Sequence, residues 1–273
     1  MDIYLVYHLR SKDDIIVAFL SELGFESFVE EEDYMLAYIN KNIHTQKNEA
    51  EIIKVLQHYK VDFSYEEIQP QNWNALWESS FQPVQVGNFC LVRADFHPMV
   101  ENIKYDVIIN PKMAFGTGHH ATTHMMISSM KDINFLDKKV FDFGAGTGIL
   151  AILASKMGAK LTDAIDIEME SYHNMRENNE INQIFNVQPI HGTLDDIDAN
   201  AVYDIILANI NRNILLKSAE KLYKLLAKGG IILLSGILIE DMEIVEAKYI
   251  EQGMTKIGSL EENNWVCLQF IKN

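Results

Sequence analysis

The stretch with the clearest chemical purpose is Val140-Phe141-Asp142-Phe143-Gly144-Ala145-Gly146-Thr147-Gly148-Ile149-Leu150-Ala151. An apolar run holding an acid crosses three alternating glycines and enters an apolar, helix-like run. Glycines suit a turn that takes positive φ and brings bare backbone against a ligand. A parallel strand turns over a ligand in this way at the carboxyl edge of an open α/β sheet. The spacing discriminates between ligands. A dinucleotide fingerprint, G-x-G-x-x-G, needs glycine at position 149, which is Ile149. D-x-G-x-G-x-G instead suits S-adenosylmethionine (SAM), which has no pyrophosphate to place on a helix N-terminus. Gly144 and Gly146 are then expected cofactor contacts.

Asp166 ends the next strand-like run, about 20 residues on, where an acid can accept both hydroxyls of an adenosine ribose. Asp163 and Glu168 compete in sequence, but Asp163 falls mid-strand, so Asp166 is the expected ribose ligand. Gly192-Thr193-Leu194-Asp195 follows a third strand and reads either as an adenine flank or as a turn with a cap. Asn209-Ile210-Asn211 follows the fourth, where the cofactor's methyl group should point. Methyl transfer to nitrogen is an in-line displacement, so the amine must be neutral and aimed. The Asn209 carbonyl can hold an amine by its N–H groups and direct its lone pair. A lysine with pKa near 10.4 must first lose a proton, and the sequence names no general base.

A second stretch runs Asn110-Pro111-Lys112-Met113-Ala114-Phe115-Gly116-Thr117-Gly118-His119-His120-Ala121-Thr122-Thr123-His124. Glycines and hydroxyls just before an apolar helix, Met125 to Met130, suit an anion such as the cofactor's carboxylate. Thr117 and Thr123 are the expected donors. His120 and His124 share a helix face at i, i+4 and, with His119, raise the question of zinc. No acidic partner or further ligand is spaced to complete such a site, so no metal is expected.

These residues need a frame. From position 139 strands and helices alternate: strands at Lys139–Phe143, Leu161–Ile165, Val187–His191, Tyr203–Ile210 and Gly230–Ile237, helices over 148–157, 168–182, 213–227 and 240–252. That alternation predicts a parallel sheet covered on both faces. Thr255–Ser259 and Trp265–Ile271 read as a closing antiparallel hairpin, the ending of SAM-dependent methyltransferases of the Rossmann-like class. Ahead of it, Val84–Phe96 and Tyr105–Ile109 read as strands. The N-terminal part reads βαββαβ: Ile3–Leu9, a helix capped by Ser11 and stopped by Gly24, a hairpin of Phe25–Val29 and Tyr34–Ile39, a helix over Gln46–Tyr59, and Asp62–Ile68. The expected organisation is a small α+β domain over 1–68, a linker helix within 69–84 carrying Trp73 and Trp77 on one face, and a catalytic domain over 85–273.

The 273 residues carry a formal net charge of −16, which argues against a nucleic-acid substrate. Residues 1–68 hold 14 acids against 6 bases, half the net charge in a quarter of the length. Glu30-Glu31-Glu32-Asp33 contributes a block of it, read as a solvated loop or as a docking surface for a basic partner. No run reaches membrane-spanning length and the start lacks a signal-peptide pattern. Cys90 and Cys267 read as reduced core thiols of a cytoplasmic protein. No heptad or exposed repeat suggests assembly, so a monomer is expected. On residues alone two rivals stand beside a protein N-methyltransferase. One is a methyltransferase of nucleic-acid amino groups, though Asn209-Ile210-Asn211 lacks the prolines and stacking aromatic of that loop. The other is a SAM-binding module without turnover.

Ala114-Phe115-Gly116-Thr117-Gly118-His119-His120-Ala121-Thr122-Thr123, the glycine run 142–151, Ala208-Asn209-Ile210 and Trp73…Trp77…Phe81-x-Pro83 together closely resemble PrmA, the ribosomal protein L11 methyltransferases. The resemblance covers essentially the whole chain. It implies a ferredoxin-like substrate-recognition domain, a linker and a Rossmann-like class I methyltransferase domain. It also implies SAM-dependent trimethylation of lysine side chains and the N-terminal α-amine of L11, with cofactor contacts at Thr123, Gly144, Asp166 and Asn209. Two departures exist. The family often has Thr-His-Pro at His119-His120-Ala121, and an apolar residue at Asn211.

Overall fold

A computed structural model of the chain describes residues 3–31, 34–68, 82–110 and 118–273. It divides into two compact units, Met1–Ser80 and Phe81–Asn273. Thr117, Trp73 and Trp77 lie outside the described residues, as does most of the expected linker.

In the first unit β1 (Tyr4–Leu9), α1 (Asp14–Glu22), β2 (Phe25–Glu30), β3 (Met35–Asn40), α2 (Gln46–His58) and β4 (Phe63–Ile68) follow in the anticipated order. The sheet is antiparallel throughout, in the order β2-β3-β1-β4. Period-two alternation in β1 puts Leu5, Tyr7 and Leu9 into one core with Ile52 and Leu56 of α2. The cap of α1 is Asp13, which accepts from the Ile15 N–H, and not Ser11. Ser11 instead accepts from the Asp13 N–H, one step outside the helix.

In the second unit β5 (Val84–Val86), β6 (Cys90–Arg93) and β7 (Tyr105–Ile108) form a three-stranded sheet. The single strand expected over Val84–Phe96 is therefore two, turned at Gly87 with φ +52°. After them come α3 (Ala121–Met130), β8 (Lys139–Phe143), α4 (Ile149–Lys156), β9 (Leu161–Asp166), α5 (Met169–Ile181), β10 (Val187–His191), β11 (Tyr203–Asn209), α6 (Arg212–Leu225), β12 (Leu226–Leu238), α7 (Met242–Glu251), β13 (Met254–Glu262) and β14 (Trp265–Lys272). Their sheet runs β10-β9-β8-β11-β12-β14-β13. The first five strands are parallel, and β14 and β13 add the antiparallel hairpin.

Both faces of this sheet are buried, so its central strands are apolar on alternate sides without a polar face. Val140, Ile205, Leu207 and Leu233 pack with α3 and α4. Phe141, Ile206, Ala208 and Leu234 pack with α6 and α7. Helix α3 starts four residues before Met125, because the His120 side chain accepts from the Thr122 N–H and caps it. Helix α6 stops at Leu225, short of the expected 227, because β12 begins at once with Leu226. Strand order reverses at β8, whose neighbours are β9 and β11, and that reversal opens a crevice at the carboxyl edge. Among the described residues no helix is long and apolar enough to cross a membrane.

Candidate active site

A cavity of about 1240 Å³ lies along this edge, all of it within the second unit. Its lining follows the strand ends in order: Gly144 and Gly146 after β8, Asp166 at the end of β9, Gly192 to Asp195 after β10, Asn209 and Ile210 after β11. His120 and Thr122 at the start of α3 and Trp265 at the start of β14 complete it.

The glycine turn has the backbone its residues suggested, with Gly144, Gly146 and Gly148 at φ +74°, +56° and +79°. Asp142 is 1 % exposed and accepts from the Ala151 N–H at 3.1 Å, tying the strand to the first turn of α4. Burial pushes its carboxyl up to about 7, opposed by that N–H and assisted by the nearby Asp166 charge. Asp166 accepts from the Gly146 N–H at 2.8 Å through one oxygen and from the Glu168 N–H at 3.0 Å through the other. A carboxylate has about four acceptor sites, so both oxygens retain capacity for a diol. Asp163, the competitor, is engaged by the Tyr203 hydroxyl at 2.7 Å. Ile167, directly after Asp166, is 60 % exposed and gives the cavity an apolar side chain for a flat ring.

Asn209 donates its amide N–H to Thr123 Oγ1 at 3.3 Å, so two expected cofactor residues meet although they are 86 positions apart. Its Oδ1 is buried with no hydrogen-bond partner among the described residues. An orphaned buried acceptor costs about 1–3 kcal/mol, and here it belongs to a side chain lining the cavity. A ligand N–H would satisfy it.

The Asn209 loop sits tightly. A Cβ on Gly144 would lie 2.2 Å from Ile210 Cγ2, and one on Gly236 would lie 2.3 Å from the Ile210 carbonyl oxygen. Gly236 has φ +81° and interrupts the β12–β14 register between Leu234 and Ile237. Neither Gly236 nor Trp265 was singled out from sequence; a glycine inside an apolar strand was the available signal for the first. Trp265 carried none.

The three histidines diverge. His119 Nε2 lies 2.8 Å from the Gln82 carbonyl oxygen. His120 pairs with Thr122 Oγ1 at 2.8 Å and meets the Trp265 ring edge-on, centroids 4.8 Å apart. His124 Nδ1 is 2.7 Å from Glu262 Oε2. The expectation that no acid partners these histidines is thus corrected: the acid comes from the end of β13, 138 positions away. Among the described residues no three metal-ligating side chains come together.

Comparison with known proteins shows the family. The model of the family "Ribosomal protein L11 methyltransferase (PrmA)" matches residues 11–273. The chain belongs to the PrmA family. It is 39% identical to the L11 methyltransferase of Porphyromonas gingivalis over 96% of this chain and 91% of that one. It is 35% identical to that of Bacteroides fragilis over 95% and 94%. A solved L11 methylase from Lactobacillus delbrueckii subsp. bulgaricus matches with TM-score 0.64 and 27% identity, covering 71% of this chain and all of the other. The Rossmann-like methyltransferase fold is that of the family.

Two outcomes are expected of this PrmA-family site. Because the Asp142 carboxyl holds its proton to about pH 7 in the fold and to about 4 when unfolded, the folded state binds more protons between those values. Stability then falls as pH rises across that window and levels above it. Urea denaturation at pH 5 and pH 8 should show a smaller loss for Asp142→Asn than for the unaltered chain; equal losses would refute the assignment. Gly236→Ala forces a left-handed alanine against a backbone carbonyl and should cost at least about 1–2 kcal/mol, read as a lowered melting temperature.

Proposed function

We propose that this chain transfers methyl groups from SAM to amino groups of ribosomal protein L11, both lysine side chains and the N-terminal α-amine, to the trimethyl state. The observation that carries the reading is the buried Asn209 Oδ1, without a hydrogen-bond partner among the described residues, on a side chain that lines the cavity. The acceptor's class comes from the chemistry of an amide carbonyl, which holds an N–H donor, and its identity from the family.

The residues fit SAM. Gly144 and Gly146 offer backbone without side chains, Asp166 has spare acceptor capacity for the ribose hydroxyls, and Ile167 offers an apolar surface for the adenine. Thr123 stands beside Asn209, where the methionine part would end. When bound, SAM supplies an electrophilic methyl carbon on a sulfonium. Asn209 accepts a hydrogen bond from the amine through Oδ1 and leaves the nitrogen lone pair directed along the cavity. Thr123 fixes which end of the Asn209 amide faces the cavity by taking its N–H. Trp265 lines the same cavity, and an aromatic ring there favours an amine that gains charge as it is methylated.

The remaining parts of the proposal concern the whole chain. The acidic first unit is a ferredoxin-like domain that docks the basic ribosomal protein, the boundaries are 1–68, 69–84 and 85–273, and the enzyme is a cytoplasmic monomer. Opposite charge would speed encounter and orient the partner.

Asp166→Ala should weaken SAM binding by about a few kcal/mol if both ribose hydrogen bonds to the carboxylate are lost; calorimetry showing unchanged affinity would mean that the ribose lies elsewhere. Labelled SAM mixed with purified large-subunit proteins should mark L11, and removal of residues 1–68 should abolish that transfer while sparing SAM affinity. Label on no protein, or preferentially on RNA, would overturn the reading.

A further inference from the structure

Helix α5 and its C-cap residue carry a buried stripe of asparagines. Asn174, Asn178 and Asn182 recur every four residues and are 1 %, 0 % and 8 % exposed. Asparagine is mostly a surface residue and a poor interior helix former, so each burial calls for a partner. Asn182 donates to the Ile108 carbonyl at 2.6 Å and accepts from the Ile108 N–H at 3.0 Å, as a neighbouring strand would. Asn174 donates to the Asn110 carbonyl at 2.9 Å.

Asn178 differs, because its two ends reach different segments. Its Oδ1 accepts from the Asn110 N–H at 3.1 Å, and its Nδ2 donates to the Thr147 carbonyl at 2.9 Å. The first bond fixes which end of the amide is oxygen, and so aims the amino end at Thr147. Thr147 is fully buried between Gly146 and Gly148 in the cofactor turn. The opposite edge of the same peptide, the Gly148 N–H, donates to the Ala145 carbonyl at 2.8 Å. A Cβ on Gly148 would stand 3.0 Å from Met175 Cγ, so α5 lies directly on the turn.

The glycines that let this turn form also leave it undetermined. Glycine accepts either sign of φ, so the peptide between Thr147 and Gly148 could flip at little local cost. A flip would strand a buried carbonyl and release the Gly148 N–H. It would also disturb Gly146, one peptide away, which lines the cavity and donates to Asp166. We infer that Asn178 is a positioning residue for the cofactor: its amide selects one orientation of the 147–148 peptide and thereby holds the Gly146–Asp166 contact in its binding geometry. The inference rests on the proposed placement of SAM at this turn.

Asn178→Asp, in α5, and Asn182→Asp, at its C-cap, make the same chemical change one turn apart at similar burial, each replacing an inward amide donor by an oxygen. Titration calorimetry with SAM, and separately with S-adenosylhomocysteine, is run well below each variant's melting temperature. Asn178→Asp removes the donor to Thr147, and with it the bond to Asn174 Oδ1, and should weaken both ligands at least about tenfold, while Asn182→Asp stays within twofold of the unaltered chain. Equal affinities, or equal losses in both variants, overturn the inference. If the unaltered chain binds neither ligand, the SAM reading itself fails. Should Asn178→Asp not fold, amide exchange of the unaltered chain decides: the Gly148 N–H should be protected before SAM is added, and protection that arises only with SAM overturns the inference.

Discussion

Ile210 is wedged between two glycines, Gly144 in the turn after β8 and Gly236 inside β12, and the carboxyl edge of the sheet depends on that wedge. Its side chain occupies the space over Gly144, and its carbonyl sits against Gly236. Strands in a sheet are spaced by about 4.8 Å, so the turn after β8, the loop after β11 and the β12 backbone at Gly236 would collide if each carried ordinary side chains. Removing two Cβ atoms lets the Asn209 loop descend between its neighbours. The position of the Asn209 carbonyl is thereby set by the same contact that shapes the cofactor turn. Left-handed backbone at both glycines makes the arrangement costly for any other residue.

Among the described residues that line this edge, one buried side-chain atom lacks a hydrogen-bond partner and the acids nearby are satisfied. Asp142 is buried behind the turn and bonded to α4, Asp166 spans the turn and the start of α5, and Asp163 is held by Tyr203. Asn209 keeps a buried acceptor without a partner. That orphaned acceptor belongs to a side chain that lines the cavity. Stability lost there is of the kind that active sites commonly carry.

The histidines show how sequence proximity misleads. His119, His120 and His124 lie within six positions, yet the chain turns into α3 between the first and the last. One reaches the Gln82 carbonyl, one caps the helix and meets Trp265, and one pairs with Glu262. Helical periodicity puts His120 and His124 on one face, but α3 begins only at Ala121 and His120 caps it from extended backbone, so only His124 lies in the helix. Periodicity is silent about what His124 would meet, because Glu262 ends β13, 138 positions later in the chain.

The sequence by itself determined the elements and the nature of the site. Alternating strand and helix patterns, three glycines after an apolar run, and an acid and an asparagine at later strand ends are local signals, each read within about ten residues, and local signals survive without knowledge of the fold. Even there, short-range competition shifted details: Asp13 displaced Ser11 as a cap, and Gly87 split one strand into two. Tertiary structure alone decided which distant atoms meet. The Asn209–Thr123 bond, the His124–Glu262 pair, the Gly236 cradle and the asparagine stripe of α5 join residues separated by tens to more than a hundred positions. Strand order and helix packing set those meetings, and no spacing along the chain encodes them.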